Sequence, residues 1–112
     1  DFVMAYTQAP IETDLYMEIQ YGIETTTGSP CDYVLQLLAN IYGQKQAGRV
    51  WNEHLVEKLR SIGFSQSFVD ECVFYREDVI FIVYVDDGIF IGKSDEQLTS
   101  IITELQNIGL KI

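Results

Sequence analysis

The chain has 112 residues, of which 47% are hydrophobic, with 17 acidic and 7 basic side chains and a formal net charge of −10. This length and apolar content are typical of one globular domain with a small core. The charge argues against a stand-alone nucleic-acid binder, because phosphate contact normally uses Lys and Arg.

The cysteines and the apolar runs indicate in which cellular compartment the protein is expected. Cys31 and Cys72 lie far apart, lack metal-ligand spacing and are too few for a disulfide framework, so we expect buried free thiols in a reducing compartment. The first residues do not resemble a secretory leader, and both ends look truncated. The longest apolar run, residues 79–85, is too short for a membrane helix, so no membrane partner is expected.

The first third of the chain predicts short strands separated by loops. Residues 1–6 predict a strand end that passes into a loop or helical turn. Residues 11–21 fit either a short strand or an irregular segment, and the small polar residues, Gly and Pro at 25–30 predict a loop. Residues 33–38 predict a second strand.

A helix is predicted next, because apolar residues recur at helical spacing and Gly63 stands where a left-handed C-terminal residue is favoured. The stripe that this helix should bury consists of Trp51, Leu55, Leu59 and Ile62. His54, the only histidine, lies beside the stripe without a second ligand or nucleophile, which favours a surface or boundary position.

The third part of the chain predicts a hairpin after a connector at 64–70 and a strand at 72–75. Apolar runs at 79–85 and 89–91 flank Asp86-Asp87-Gly88. Asp-Gly is a favoured two-residue turn because Gly tolerates positive φ. Taken alone, this turn is more typical of a solvated loop than of an active site.

A second helix follows, since Ser94 and Gln97 form a capping box and a clean apolar stripe runs to Gly109. Residues 110–112 look like the start of another strand. The order of elements predicts an α+β fold in one compact domain, residues 1–112, with a mainly antiparallel sheet. Two helices should cover one face of this sheet and leave the other face free.

Three acids carry the candidate chemistry. Asp1 heads one predicted strand, and Asp86 and Asp87 lie at the hairpin tip, so the three carboxylates converge if the strands are neighbours. Carboxylates this close are stabilised best by a hard divalent cation such as Mg²⁺. Two such ions can promote an in-line phosphoryl displacement, which makes nucleotidyl transfer a candidate reaction.

Three blocks of sequence resemble the copia-type retrotransposon reverse transcriptases. Residues 1–6, Asp-Phe-Val-Met-Ala-Tyr, are similar to that family's first catalytic block, and residues 84–87, Tyr-Val-Asp-Asp, match its Tyr-x-Asp-Asp box. The long segment 41–51 is similar to the family's Leu-Tyr-Gly-Leu-Lys-Gln-Ala-Pro-Arg-x-Trp stretch. Residues 14–18 and 63–75 also fall where the family has comparable residues, so the resemblance covers nearly the whole chain.

The resemblance implies a partial polymerase palm with a ferredoxin-like antiparallel sheet and an RNA-directed DNA polymerase activity. It implies that Asp1 and Asp86 ligate two Mg²⁺ ions, with Mn²⁺ as a substitute. The Phe2 carbonyl would complete one coordination shell, and Asp87 would tune the site as the third catalytic acid.

The same resemblance assigns substrate-binding residues. Tyr6 looks like the steric gate against a ribose 2′-hydroxyl, the alternative being a core tyrosine. Tyr42 and Gly43 match the segment along the incoming nucleotide, where Gly permits close backbone approach. Tyr84 and Val85 are expected near the primer terminus.

Two basic residues and two departures from the family pattern belong to the long segment. Lys45 is assigned to nucleotide binding, and both Lys45 and Arg49 either face phosphate or are solvated on the helix surface. Gly48 replaces the family's usual Pro, which loosens the entry to the helix. Gln44 stands where an apolar residue is common.

The implied partners are an RNA template, a DNA primer and deoxynucleoside triphosphates. The remaining polyprotein domains (fingers, thumb, ribonuclease H and integrase) are implied as well, in a cytoplasmic virus-like particle with nuclear integration. The isolated fragment should not polymerise. One alternative is a decayed or domesticated remnant that acts as a folded interaction module, and a weaker one is a palm-like nucleotide cyclase.

Overall fold

The computed structural model describes residues 1–112. It contains helices α1 (Ala5–Gln8), α2 (Ala47–Ser61) and α3 (Asp95–Asn107), and strands β1 (Tyr16–Glu18), β2 (Val34–Gln36), β3 (Ser65–Gln66), β4 (Val73–Arg76), β5 (Val79–Tyr84) and β6 (Asp87–Ile91). All strand pairs are antiparallel, so the fold is α+β as predicted. None of the three helices has both the length and the apolar character that crossing a membrane requires.

The main sheet has the order β3-β4-β5-β6, with one face on the core. In β5, Val79, Phe81 and Val83 are buried and alternate with more exposed residues, as expected for a strand whose side chains alternate between faces. Helices α2 and α3 contribute their buried residues to the same core cluster. The two helices therefore cover one face, and the opposite face is left exposed, which confirms the predicted layering.

Both long helices follow the predicted patterns. Helix α2 begins at Ala47 and buries Trp51, Leu55 and Leu59, and Gly63 follows its end with φ +89°. A positive φ at this position is what a glycine after a helix supplies without strain. Helix α3 is capped by the Ser94 hydroxyl, which accepts a hydrogen bond from the Gln97 amide. The Gln97 side chain donates to Glu77 (3.3 Å), so the reciprocal half of the predicted capping box is not formed.

Residues 10–39 form an arm that contributes no buried residue to the core. Strands β1 and β2 lie in this arm and pair with each other in a separate two-stranded sheet, so they do not join the main sheet. The Cα radius of gyration is 18.2 Å, whereas a compact chain of this length has a value of about 13 Å. The expectation of one compact unit therefore fails for the arm, whose sequence lacks a continuous apolar stripe.

The strand end predicted at the start of residues 1–6 and the strand predicted at 110–112 are not formed, whereas the loop or helical turn expected after the strand end is the helical turn α1. The Val3 amide donates one hydrogen bond to the Lys111 carbonyl (2.9 Å), and no ladder continues from it. The Gln8 amide group replaces the ladder: its nitrogen donates to the carbonyls of Val3 (2.7 Å) and Lys111 (3.0 Å), and its oxygen accepts from the Lys111 amide (2.8 Å). A side chain thus satisfies backbone groups that a sheet would otherwise pair.

Two smaller expectations were also wrong. Residues 64–70 were expected to be a plain connector, but β3 within them pairs with β4. Cys31 is exposed and Cys72 is partly buried, so the two free thiols are not both core residues. Cys31 lies in the arm, which has no core to bury it.

The hairpin turn lies two residues earlier in the chain than the predicted Asp87-Gly88 turn. Tyr84 pairs with Asp87, so the turn consists of Val85 and Asp86, and Val85 has φ +57°. Gly88 is a strand residue opposite Val83. A Cβ at Gly88 would lie 2.7 Å from the Phe81 ring, so this glycine makes room for a ring and does not supply a positive φ.

His54 lies on α2 with its ring 6.3 Å from that of Trp51, and it is partly buried, in agreement with the predicted boundary position. Burial is the main factor that lowers the pKa of His54, and Lys58 lowers it further while Glu57 opposes the shift. The folded state therefore favours the neutral imidazole.

We expect Gly88→Ala to lower the free energy of unfolding by about 1–3 kcal/mol, because the added methyl overlaps the Phe81 ring. Gly48→Ala is the matched control: its Cβ would meet the Tyr6 hydroxyl at an ordinary 3.6 Å. Removing a helical glycine should raise stability by about 0.5–1 kcal/mol. Urea denaturation of both variants measures the two changes, and a neutral Gly88→Ala would contradict the packing described.

The lowered His54 pKa predicts a pH dependence of stability. As the pH falls through about 6.5, the unfolded chain takes up the proton before the folded chain does, so the free energy of unfolding decreases. Replacing His54 with Gln should flatten this part of the curve. An NMR titration of the single imidazole gives the folded pKa directly, and a midpoint at or above 6.5 would exclude this origin.

Candidate active site

The site is centred on the Val85–Asp86 turn, which three hydrogen bonds hold from three directions. The Trp51 indole nitrogen donates to the Val85 carbonyl (2.6 Å). The Phe2 amide donates to the Asp86 carbonyl (2.8 Å). The Tyr42 hydroxyl donates to one Asp86 carboxylate oxygen (3.3 Å). Residues from all three family-like blocks therefore meet at one turn.

Aromatic packing places the N-terminal block beside this turn. Phe2 is buried, and its ring contacts those of Trp51 (5.2 Å between centroids, 70° between planes) and Phe81 (6.4 Å, 78°). Such edge-to-face contacts are favourable between aromatic rings. Because Phe2 is held in the core and bonded to Asp86, the adjacent Asp1 lies at the edge of the turn and is exposed to solvent.

Tyr6 and Tyr42 form a second aromatic contact on the approach to the turn. Their ring centroids are 4.3 Å apart with planes inclined by 31°. Tyr6 is partly buried against the core and Tyr42 is half exposed. Gly43 has φ +94°, and a Cβ added there would have no atom within 4 Å, so the backbone beside Tyr42 is open to a ligand.

Desolvation raises the pKa of the Tyr42 hydroxyl, and the charge of Asp86 and the hydrogen bond to it raise it further. The hydroxyl therefore stays protonated at neutral pH and remains a donor to the carboxylate. Asp86 thus has a fixed neutral partner and no cationic one.

The two basic residues of the long segment differ in their contacts. Arg49 is bound by Glu12 (2.7 Å) and Glu53 (2.8 Å), and the hydrogen bonds to these carboxylates raise the pKa of its guanidinium. Lys45 is exposed and makes no ion pair. Of the two, Lys45 is therefore the one available to a phosphate group in this conformation.

Asp1, Asp86 and Asp87 take part in none of the ion pairs of the molecule. The chain contains no group of three or more His, Cys, Asp or Glu side chains placed to hold one metal ion, so the expected convergence of all three carboxylates is not formed. Asp87 belongs to strand β6 and pairs with Tyr84, which explains why it does not share the turn with Asp86.

The resemblance also implies a smaller set of metal ligands, and the chemistry of these ligands suits a divalent cation. The set consists of the Asp1 and Asp86 carboxylates and the Phe2 carbonyl, all of them hard oxygen donors. The backbone hydrogen bond between Phe2 and Asp86 places the two chain segments that carry these donors side by side. Neither acid forms an ion pair with a basic side chain. Tyr84 and Val85, assigned to the primer, lie directly before Asp86, and Tyr84 is exposed.

Sequence reasoning missed the role of Trp51 at this site. Its spacing assigned it to the buried stripe of α2, and it is indeed buried. A buried indole nitrogen needs a hydrogen-bond acceptor, and that requirement is the signal that pointed beyond packing. The acceptor could not be identified without the fold.

Comparison with known proteins assigns the chain to a family. The family described as reverse transcriptase (RNA-dependent DNA polymerase) matches residues 1–108. A retrovirus-related Pol polyprotein from transposon TNT 1-94 of Nicotiana tabacum is 29% identical over 98 residues, which are 83% of this chain and 7% of that protein. No solved structure matches the chain.

Two further relatives come from yeast and a second plant. A putative transposon Ty5-1 protein of Saccharomyces cerevisiae is 32% identical over 112 residues, covering 96% of this chain and 36% of that protein. The Pol polyprotein from transposon RE2 of Arabidopsis thaliana is 35% identical over 93 residues, or 80% of this chain and 6% of that protein. The chain spans only 6% to 36% of these three relatives. The chain therefore belongs to the reverse transcriptase family, among the copia-type reverse transcriptases of retrotransposon Pol polyproteins.

Proposed function

We propose that residues 1–112 form part of a polymerase palm and carry the nucleotidyl-transfer site of an RNA-directed DNA polymerase. The observation that supports this most directly is the hydrogen bond from the Phe2 amide to the Asp86 carbonyl (2.8 Å). It joins the two acidic family motifs, which come from distant parts of the sequence. An antiparallel sheet with α2 and α3 on one face is compatible with a palm.

In this proposal, Asp1 and Asp86 bind Mg²⁺, with Mn²⁺ as a substitute, and the Phe2 carbonyl supplies a further oxygen ligand. When bound, the ions would supply Lewis-acid chemistry for the attacking primer 3′-hydroxyl and for the charge on the leaving pyrophosphate. The Tyr42 hydroxyl orients Asp86 by donating to one of its carboxylate oxygens. Asp87 contributes negative charge from the adjacent strand position.

The substrate side of the proposal uses the residues around the turn. Tyr6 and Tyr42 face the sugar and base of the incoming nucleotide, Gly43 allows the backbone to approach it, and Lys45 contacts its phosphates. Tyr84 and Val85 contact the primer terminus. The contact between the rings of Tyr6 and Tyr42 supports a single aromatic wall.

The partners follow from the same assignment. They are an RNA template, a DNA primer and deoxynucleoside triphosphates, together with the fingers, thumb, ribonuclease H and integrase parts of a longer polyprotein. The net charge of −10 supports a need for these other parts in nucleic-acid binding. We further propose that the parent acts in a cytoplasmic virus-like particle before nuclear integration.

Asp86→Asn in the full-length parent enzyme should lower Mg²⁺-dependent extension of a DNA primer on an RNA template by about a hundredfold or more, because it removes a charged ligand at the reacting phosphate. Primer extension followed on a gel measures the loss. The matched control is Asp78→Asn, at the β4–β5 hairpin turn of the same sheet, where the carboxylate binds Lys93 (3.0 Å). Equal extension by the parent and Asp86→Asn would sink the assignment.

Tyr6→Val should reduce the preference for deoxynucleotides over ribonucleotides by about 10- to 100-fold, because a smaller side chain leaves room for the 2′-hydroxyl. Tyr6→Phe keeps the ring and should keep the preference. The ratio of kcat/KM for the two nucleotide types is the measurement. If Tyr6→Val lowers stability and leaves this ratio unchanged, Tyr6 is a core tyrosine and not a gate.

A further inference from the structure

Trp51 connects helix α2 to the turn that carries Asp86. The residue is 2% exposed, and its indole nitrogen donates to the Val85 carbonyl at 2.6 Å. The indole N–H is the only polar group of this side chain, so burying it without an acceptor would leave a donor unsatisfied. The buried indole N–H therefore needs an acceptor, and the Val85 carbonyl is that acceptor.

Val85 has a backbone conformation that its side chain opposes. Its φ of +57° lies in the left-handed region, and a β-branched residue there is a genuine outlier. This region is disfavoured roughly tenfold for residues with a Cβ. The two-residue turn between Tyr84 and Asp87 imposes this φ, as the β4–β5 turn does at Glu77 (φ +52°). The β-branched Val85 is more strained by it than Glu77, so we expect an added interaction to stabilise the turn at Val85.

The packing around the turn leaves space beside both Val85 and Trp51. A cavity of about 180 Å³ lies against Val85, with Tyr6, Gly48 and Tyr84 among its lining residues. On the helix side, the Trp51 hydrogen bond is the interaction that specifies where the Val85 carbonyl points. The Trp51 ring also contacts Phe2, whose amide is bonded to Asp86.

We propose that Trp51 is a positioning residue: its indole N–H stabilises Val85 in the left-handed conformation and, together with the Tyr42 hydroxyl, sets the direction of the Asp86 carboxylate. The inference rests on the proposed function only for the statement that this carboxylate binds Mg²⁺. The restraint itself is a property of the folded chain, and it can be measured without catalysis.

A double-mutant cycle in the 112-residue chain tests the restraint. Trp51→Phe keeps an aromatic ring and removes the donor, whereas Val85→Gly removes the conformational penalty, because Gly adopts positive φ freely. If the indole bond maintains the strained turn, Trp51→Phe lets Val85 relax and recover its conformational penalty in the wild type, a gain that Val85→Gly cannot make. Trp51→Phe should therefore lower the folding equilibrium constant by about tenfold more in the Val85→Gly background than in the wild type. Additive effects of the two substitutions would overturn the proposal.

The matched control is Phe64→Leu, which also truncates a buried aromatic residue. Phe64 packs against Phe81 and Phe90 in the core. Its effect should be additive with that of Val85→Gly, because the two sites share no hydrogen bond. Coupling as large as that of Trp51→Phe would show a general loss of packing and overturn the specific role.

One measurement needs no variant of Trp51. Trp51 is the only tryptophan, so its indole N–H gives a single NMR signal. Hydrogen exchange of this proton should be slower than in free indole by about tenfold or more, and unprotected exchange would overturn the proposal even if Trp51→Phe failed to fold. Added Mg²⁺ should shift the signal in the wild type and not in Asp86→Asn. Slow exchange and coupling without a Mg²⁺ shift support the restraint and count against the proposed metal site alone.

Discussion

The hydrogen bond from the Phe2 amide to the Asp86 carbonyl is the constraint on which the candidate site depends. It is a single hydrogen bond that is not part of a β-ladder, so it persists only because the residues at both of its ends are held in place by other contacts. At one end, the Phe2 ring is buried between Trp51 and Phe81. At the other, strands β5 and β6 fix the turn. An apolar core therefore determines how close two solvent-facing acids come.

The sequence predicted the elements whose pattern is local. Helices α2 and α3 and the strands of the central hairpin follow from the spacing of their own apolar residues, and Gly63 and Gly109 end the helices as expected. The turn was misplaced because Gly88 has two plausible uses, a positive φ or close packing. Only the position of the Phe81 ring, which stacks on Phe90 at 4.1 Å, distinguishes them.

The parts that could not be predicted depend on contacts between distant segments. Nothing local in residues 1–6 or 110–112 indicates that the Gln8 side chain would pair their backbones. The resemblance implied that Asp1 and Asp86 share a site, and the hydrogen bond from the Phe2 amide to the Asp86 carbonyl joins their chain segments. The resemblance gave no donor for the Val85 carbonyl. The charge pattern did not predict the ion pairs either: Arg49 was expected to face phosphate or to be solvated on the helix surface, whereas Glu12 and Glu53 bind it. All four ion pairs lie away from the three acids, which keeps the local potential negative.

The hydrogen bonds of the Gln8 side chain to Val3 and Lys111 affect the order in which parts of the chain fold. This side chain joins positions separated by 103 residues, so its hydrogen bonds to Lys111 close a long loop. Loop-closure entropy delays contacts of this kind relative to local helices and hairpins. During synthesis, the acidic turn can be complete while the segment that carries Asp1 is still unanchored. We therefore expect the Asp1 segment to reach this turn after the local helices and hairpins have formed.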